Sequence, residues 1–425
     1  MALGFFKSSL APVAIDFGYA ELKLLQVQPG ETATLIAAAR EVIPEVVRND
    51  PAARQSFLSD RLPKLIRDGG FKGKTAICSI PAWQTFVQHM QVRGGEGPDD
   101  ITNQLKAQLQ AVIACDPNNV VVRHVEVGEV FRENQTMLEV ICFAVARDVV
   151  MRQIELLNKC RMEIGGFHAE PIAVVKAFEH LYRREGDDRT TTLYVDLGAS
   201  CTKAMIAHGR DIRFAKSIPV GGRHFDQRLT EVLNCDAAAA RAQRHAEVRH
   251  ETLAPSITEG SRANAAAVGA VRSEATRAAS TAGTGTIHDR RSGSVPNEFA
   301  PVEGDAHAPV SIQAGSGEGE EESVVRQAIH PLVEQLVDEL RLCERYHHRL
   351  FSDRALDRLV FVGGESMDRP LCREVAESIG VVTYQGNPFG RLKRTGEERF
   401  VGFDGTHAEP GWCVAIGLCA CPANA

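Results

Sequence analysis

Aromatic side chains are scarce in this chain: Phe, Tyr and Trp make up 6% of 425 residues. A base-stacking surface for single-stranded nucleic acid needs many aromatic faces, so the composition argues against that class. Cationic surplus is lacking too. The formal charge is -7 at pH 7 and the pI is about 6.1, which removes the electrostatic footprint of a nucleic-acid binder. No run of 18 apolar residues occurs, so nothing reads as a membrane span. The apolar run Leu10–Ile15 stops at Asp16, too short for a secretory core, and the reading is cytoplasmic. The eleven cysteines offer no familiar zinc spacing. Their closest cluster, Cys413, Cys419 and Cys421 with His407 upstream, reads as a thiol-lined helix. Scattered among apolar neighbours, the cysteines fit a reducing compartment.

What is present bounds the fold. With 44% hydrophobic and 24% charged residues, the chain can bury more than one core, and its length asks for two or more domains. Val13–Gly18 and Leu22–Val27 read as a hairpin turning at Gly18. Helical spacing follows over Asn49–Arg67, Ile101–Ile113 and Val149–Cys160, with strands at Lys74–Ile80, Val120–Val127 and Met137–Val145. Glu170–Pro171 opens a helix, since proline suits a first helical turn. A second strand set, Thr190–Asp196, Cys201–His208 and Ile212–Ile218, precedes a helix over Phe225–Leu233. Pro255–Ser323 is rich in Ala, Gly, Ser, Thr and Glu with Phe299 as its one aromatic. It reads as a disordered spacer with a transient helix over Ala263–Ala279. A long amphipathic helix, Val325–Leu350, restarts the order. Strand Leu359–Val362, helix Leu371–Gly380, strand Val381–Tyr384 and a small-residue helix over Trp412–Cys421 complete the pattern.

Two segments match at long range. Ala14-Ile15-Asp16-Phe17-Gly18 and Tyr194-Val195-Asp196-Leu197-Gly198 each end a strand in D-x-G and lead to a second strand, so duplicated subdomains are expected. Glycine lets backbone amides approach an oxyanion. An aspartate beside them repels phosphate unless a cation intervenes, and Mg²⁺ that keeps several waters is the natural one. Two facing hairpins then clamp one nucleotide. A third element, Val360-Phe361-Val362-Gly363-Gly364-Glu365-Ser366, is a strand running into a double glycine against which a nucleoside can lie. An ordinary turn explains each of the three motifs taken alone.

Together the trio resembles the phosphate 1, phosphate 2 and adenosine motifs of the actin-like ATPase superfamily. Further stretches, Phe143-Ala144-Val145-Ala146-Arg147, Glu170-Pro171, Ile218-Pro219-Val220-Gly221-Gly222 and Asn387-Pro388-Phe389, make the chain similar to the PilM family of type IV pilus assembly proteins. The resemblance implies an α/β, two-lobed actin-like ATPase fold with a small α+β insert in the first lobe. It places the first lobe at 1–188 with the insert at about 81–165, and the second lobe at 189–400, interrupted at about 255–323. Residues 401–425 then supply a helix returning to the first lobe.

The implied ligands are ATP and Mg²⁺. The expected nucleotide-binding residues are Asp16, Gly18, Lys23, Asp196, Gly198, Ala199, Ser200, Thr202, Gly363, Gly364 and Glu365, with Asp16 and Asp196 holding Mg²⁺ through water. The implied partner is a PilN-like inner-membrane protein, whose short cytoplasmic N-terminal peptide sits in a groove between insert and first lobe. Phe86, Val87 and Met90 supply apolar material there. Self-association stays open. The first hairpin departs from the family pattern: Tyr19-Ala20-Glu21 replaces hydroxyl residues before Lys23. That leaves an orienting group for attacking water unassigned, and any ATPase activity weak. A small-molecule kinase of the same superfamily and an actin-like cell-division protein are the alternatives.

Overall fold

The computed structural model describes residues 10–94, 97–113, 116–132, 135–252, 310–311, 323–403, 405 and 410–423. The expected transient helix over Ala263–Ala279 and the upstream His407 lie outside these residues, as does most of the expected spacer. The chain begins with β1 (Val13–Phe17), β2 (Glu21–Gln28), β3 (Thr34–Val42), α1 (Glu45–Arg48), α2 (Pro51–Gly69) and β4 (Thr75–Ile80). Next come β5 (Thr85–Arg93), α3 (Pro98–Ile113), β6 (Val120–Arg132), β7 (Gln135–Ala146), α4 (Arg147–Lys159), β8 (Glu163–Ala169) and α5 (Glu170–Ala177). The second half runs β9 (Thr191–Leu197), β10 (Thr202–His208), β11 (Asp211–Ile218), α6 (Gly222–Leu233), α7 (Ala237–Thr252) and β12 (Val310–Ser311). It ends with α8 (Val324–Leu350), β13 (Arg358–Val362), α9 (Arg369–Ile379), β14 (Val382–Gln385), β15 (Arg399–Val401) and α10 (Cys413–Ala420).

Local chemistry sets the boundaries of the helices. Asp50 accepts from the amides of Ala52 and Ala53, Pro51 opens α2, and Gly70 at φ +70° closes it. Ser323 caps α8 through the Arg326 amide. Asp368 caps α9 through Leu371, and Gly380 in the left-handed region ends that helix.

The strands form two six-stranded sheets, ordered β15-β3-β2-β1-β4-β8 and β11-β10-β9-β13-β14-β12. Within each, three strands meander antiparallel and two more add in parallel: β3-β2-β1-β4-β8 and β11-β10-β9-β13-β14. The repeat seen in two D-x-G hairpins therefore extends to a whole five-strand unit. A separate three-stranded antiparallel sheet, β5-β7-β6, carries α3 on one face through Val92, Leu105, Leu109 and Val140. Val310 and Ser311 pair with Gln385 and Tyr384 at the edge of the second sheet. That pairing places two residues of the expected spacer in a ladder.

Side-chain alternation sorts the cores. Val13, Ile15 and Phe17 of β1 pack outward against Leu58 and Leu62 of α2 and Leu156 of α4. Leu193, Val195 and Leu197 of β9 pack outward against α6, α8 and α9. The period of two turns the intervening residues inward. Ala14 and Tyr194 join a third core with α5 and α10, which also holds Ile77, Met205 and Val360. Helices α5 and α10 are thus the layer shared by both sheets. They meet at backbone distance: a Cβ on Gly417 would run into the Ala173 carbonyl.

Gly417→Leu is accordingly expected to cost ~1–3 kcal/mol or more by overpacking. Denaturant unfolding checks this, and a loss under about 0.5 kcal/mol would contradict the helix contact.

Candidate nucleotide cleft between two D-x-G hairpins

The inward-facing positions at the ends of β1 and β9 are Asp16 and Asp196, buried to 4% and 3% exposure. In register across each hairpin stands a lysine: Lys23 opposite Asp16, Lys203 opposite Asp196. Both hairpins therefore read D-x-G-x4-K. The glycine is required in each for the same reason. A Cβ on Gly18 would lie 2.8 Å from the Glu21 carbonyl oxygen, and one on Gly198 would lie 2.8 Å from that of Cys201.

The tips converge on one cleft of about 280 Å³. Ten of the eleven residues expected at the site line it: Asp16, Gly18, Lys23, Asp196, Gly198, Ala199, Ser200, Gly363, Gly364 and Glu365. Thr202 is the exception. Its hydroxyl donates to the Val220 carbonyl at 2.8 Å, inside the protein. Strand alternation explains this placement, since Thr202 and Ala204 face away from the side that carries Lys203. Gly363 sits at φ +90°, and a Cβ there would strike the Asp196 carboxylate and the Leu197 carbonyl. The double-glycine loop is thereby held against the end of β9. Glu365 faces the start of α6 at Gly222 and accepts from Arg244 Nη1 at 2.7 Å.

Two residues absent from the sequence-based set complete the floor. Lys203 Nζ lies 2.7 Å from Asp196 Oδ2 and 2.7 Å from Glu170 Oε2. Glu170, the first residue of α5, also accepts from the Ala82 amide at 3.1 Å. Lys203 was legible as the second member of the seven-residue Asp-to-Lys spacing. Glu170 belonged to the Glu170-Pro171 stretch of the family resemblance and carried the signal of an acid opening a helix before proline, where the helix end favours negative charge, but nothing that tied it to the cleft.

The two hairpins differ in where the ammonium goes. Lys23 Nζ pairs with Glu21 Oε2 at 2.9 Å, whereas the position of Glu21 is taken by Cys201 in the second hairpin. Asp16 instead accepts from Ser79 Oγ at 2.9 Å. Burial, reinforced by the nearby Glu170 charge, raises the Asp16 carboxyl from 3.8 to about 7. Lys203, by contrast, is held well above its ordinary value by Asp196 and Glu170 against the opposing effect of burial.

Among the described residues, no three His, Cys, Asp or Glu side chains converge closely enough to hold an ion directly. A hydrated Mg²⁺ needs only one or two carboxylates, and the under-compensated Asp16 fits that role. The expected groove residues are used in packing: Phe86 and Met90 lie against the α3 core, and Val87 against the core between the sheets.

Residues 14–257, more than half of the chain, match the family described as Type IV pilus assembly protein PilM. The chain belongs to the PilM family, within the actin-like ATPase superfamily. Family membership gives it a general role in type IV pilus or related assembly machinery. Its fold is similar to that of a solved PilM-PilN type IV pilus biogenesis complex. That match has TM-score 0.67 at 15% identity and covers 96% of this chain and 98% of the other. A weaker match is the ethanolamine utilization protein EutJ from Carboxydothermus hydrogenoformans, at TM-score 0.46 and 11% identity over 96% of this chain and 89% of that one. No curated protein matches the chain. No helix among the described residues is long and apolar enough to cross a membrane.

Burial of the Asp16 carboxyl is expected to cost the site stability at neutral pH. Its carboxyl holds a proton more tightly folded than unfolded, so its contribution to stability falls as pH rises from about 4 towards about 7. In chelator-treated protein, Asp16→Asn should raise the melting temperature at about pH 8 and change it far less at about pH 4. An equal shift at both pH values would sink the assignment.

Proposed function

We propose that this PilM-family chain binds ATP with Mg²⁺ in the cleft and uses it to regulate capture of a PilN-like inner-membrane protein by its N-terminal cytoplasmic peptide. The observation that carries the nucleotide reading is the convergence of two topologically matched hairpins, each with a buried aspartate in cross-strand register with a lysine, on one glycine-bordered cleft. A triphosphate suits that floor: Lys23 and Lys203 supply positive charge, and Gly18 and Gly198 leave room at the turns. Of the two expected metal carboxylates, Asp196 is paired with Lys203 and Asp16 has a hydroxyl partner, so Asp16 is the one that would chiefly hold Mg²⁺ through water, and the ion would neutralise phosphate oxygens. Gly364 offers an open face for the nucleoside, where a Cβ would meet nothing within 4 Å. Arg241 and His245 of α7 line the same end.

For the partner, a second cavity of about 150 Å³ is the best-supported seat. It opens between α2, α4 and the turn after β4. Its walls are apolar at Phe17, Leu58, Val149 and Leu156 and cationic at Arg54 and Arg152. The Trp83 indole N–H there is buried with no partner among the described residues, as is Gln153 Oε1. A peptide backbone, which offers both a carbonyl and an amide, matches that donor and acceptor. Tyr19, Arg48 and Trp83 line both cavities. Arg223, from the half of the chain that holds the second sheet, reaches the Tyr19 hydroxyl at 3.5 Å and also lines the peptide cavity. Nucleotide that favours one spacing of the hairpins therefore has a short route to the peptide seat, provided its affinity differs between the two states.

Calorimetry with MgATP tests the first half: Asp196→Asn should weaken binding at least about tenfold, and unchanged affinity would remove Asp196 from the site. Fluorescence anisotropy with a labelled N-terminal cytoplasmic peptide of a PilN-like protein tests the second. Trp83→Ala is expected to weaken capture by about tenfold or more, and full retention would place the peptide elsewhere.

A further inference from the structure

The second hairpin contains something a metal-dependent phosphate site does not need: a buried cation already bonded to two of its carboxylates. Lys203 has a side chain 8% exposed and lies 2.7 Å from both Asp196 and Glu170. Its place is fixed by the β9–β10 register, not by a mobile loop. The first hairpin lacks an equivalent, because Glu21 holds Lys23 2.9 Å away on its own strand. Asp196 therefore has an ion-pair partner within the protein, shared with Glu170, while Asp16 relies on a hydroxyl and has no ion pair among the described residues.

We propose that Lys203 is the resident counter-ion of the cleft, so that nucleotide phosphate is held at the second hairpin without a divalent ion and magnesium dependence falls on the Asp16 side. This rests on the nucleotide reading above. An ammonium held by two carboxylates keeps its third donor free, and the cleft it lines is where phosphate oxygens would approach. A charge-assisted bond in a desolvated site contributes far more than the same bond in water. Magnesium then adds to binding instead of being obligatory for it.

The test is the ratio of ATP affinities in Mg²⁺ and in EDTA, measured by calorimetry. The unaltered protein should lose less than about tenfold on chelation. Lys203→Met leaves two buried carboxylates unpaired and threatens folding, so the paired variant Lys203→Met with Glu170→Gln is measured beside it, each checked by thermal melting. The paired variant should keep its MgATP affinity to within about tenfold yet lose about a further tenfold or more in EDTA. Lys203→Arg should hold the ratio of the unaltered protein. Binding by the unaltered protein in Mg²⁺ but not in EDTA overturns the Lys203 proposal and leaves the nucleotide reading standing. So does a paired variant whose ratio does not move. Absence of ATP binding in both buffers overturns both.

Discussion

Taking a carboxylate out of water is expensive unless something replaces its solvation. Where the strand ends of the two sheets meet, Asp16, Glu170 and Asp196 are all removed from solvent together. The ammonium of Lys203 answers for two of them, at 2.7 Å each. It joins β9 and β10 of one sheet to the first residue of α5, which leads out of the other. Breaking such a pair from one side leaves a buried charge without a partner, so the cleft floor and the attachment of α5 stand or fall together. The third carboxylate is left with a hydroxyl partner, and its raised titration point records the difference.

The symmetry of the chain makes that difference interpretable. Both sheets repeat one strand plan, both acid tips turn inward by the same alternation, and both glycines avoid a carbonyl at the same 2.8 Å. Against so much identity, one substitution in the repeat, Glu21 for Cys201, redirects one lysine away from its cross-strand aspartate. Two nearly equivalent hairpins thus offer unlike electrostatics to whatever lies between them. Tyr19, which sits in the first hairpin's turn, shares two cavities and donates to Asn49 at 2.7 Å.

The parts of the fold legible in the sequence are those where periodicity and punctuation agree. Hairpin β1–β2, helix α2 with its Asp50-Pro51 start, and α8 with its apolar stripe all satisfy that condition. Strand β3 escaped because Ala37, Ala38 and Ala39 carry no β signal. Only their burial between β2 and β15 makes them a strand. Strand β8 contains Gly165 and Gly166 and reads as a break, yet Gly165 fits closely against Thr75 and Ala76 of β4. Helix α7, four alanines followed by polar residues, has little amphipathic pattern and passed unassigned. At the cleft, motif spacing found the turns, both aspartates and Lys23, but not Lys203 or Glu170 behind them. Lys203 and Glu170 become neighbours only through tertiary packing, and Thr202 looked equivalent to Ala199 and Ser200 until its face was known.

The contact between Gly417 and the Ala173 carbonyl fixes more than stability. Two backbones touching without side chains between them leave no slack for α5 and α10 to slide past one another, so the two sheets that share this layer are held in one register.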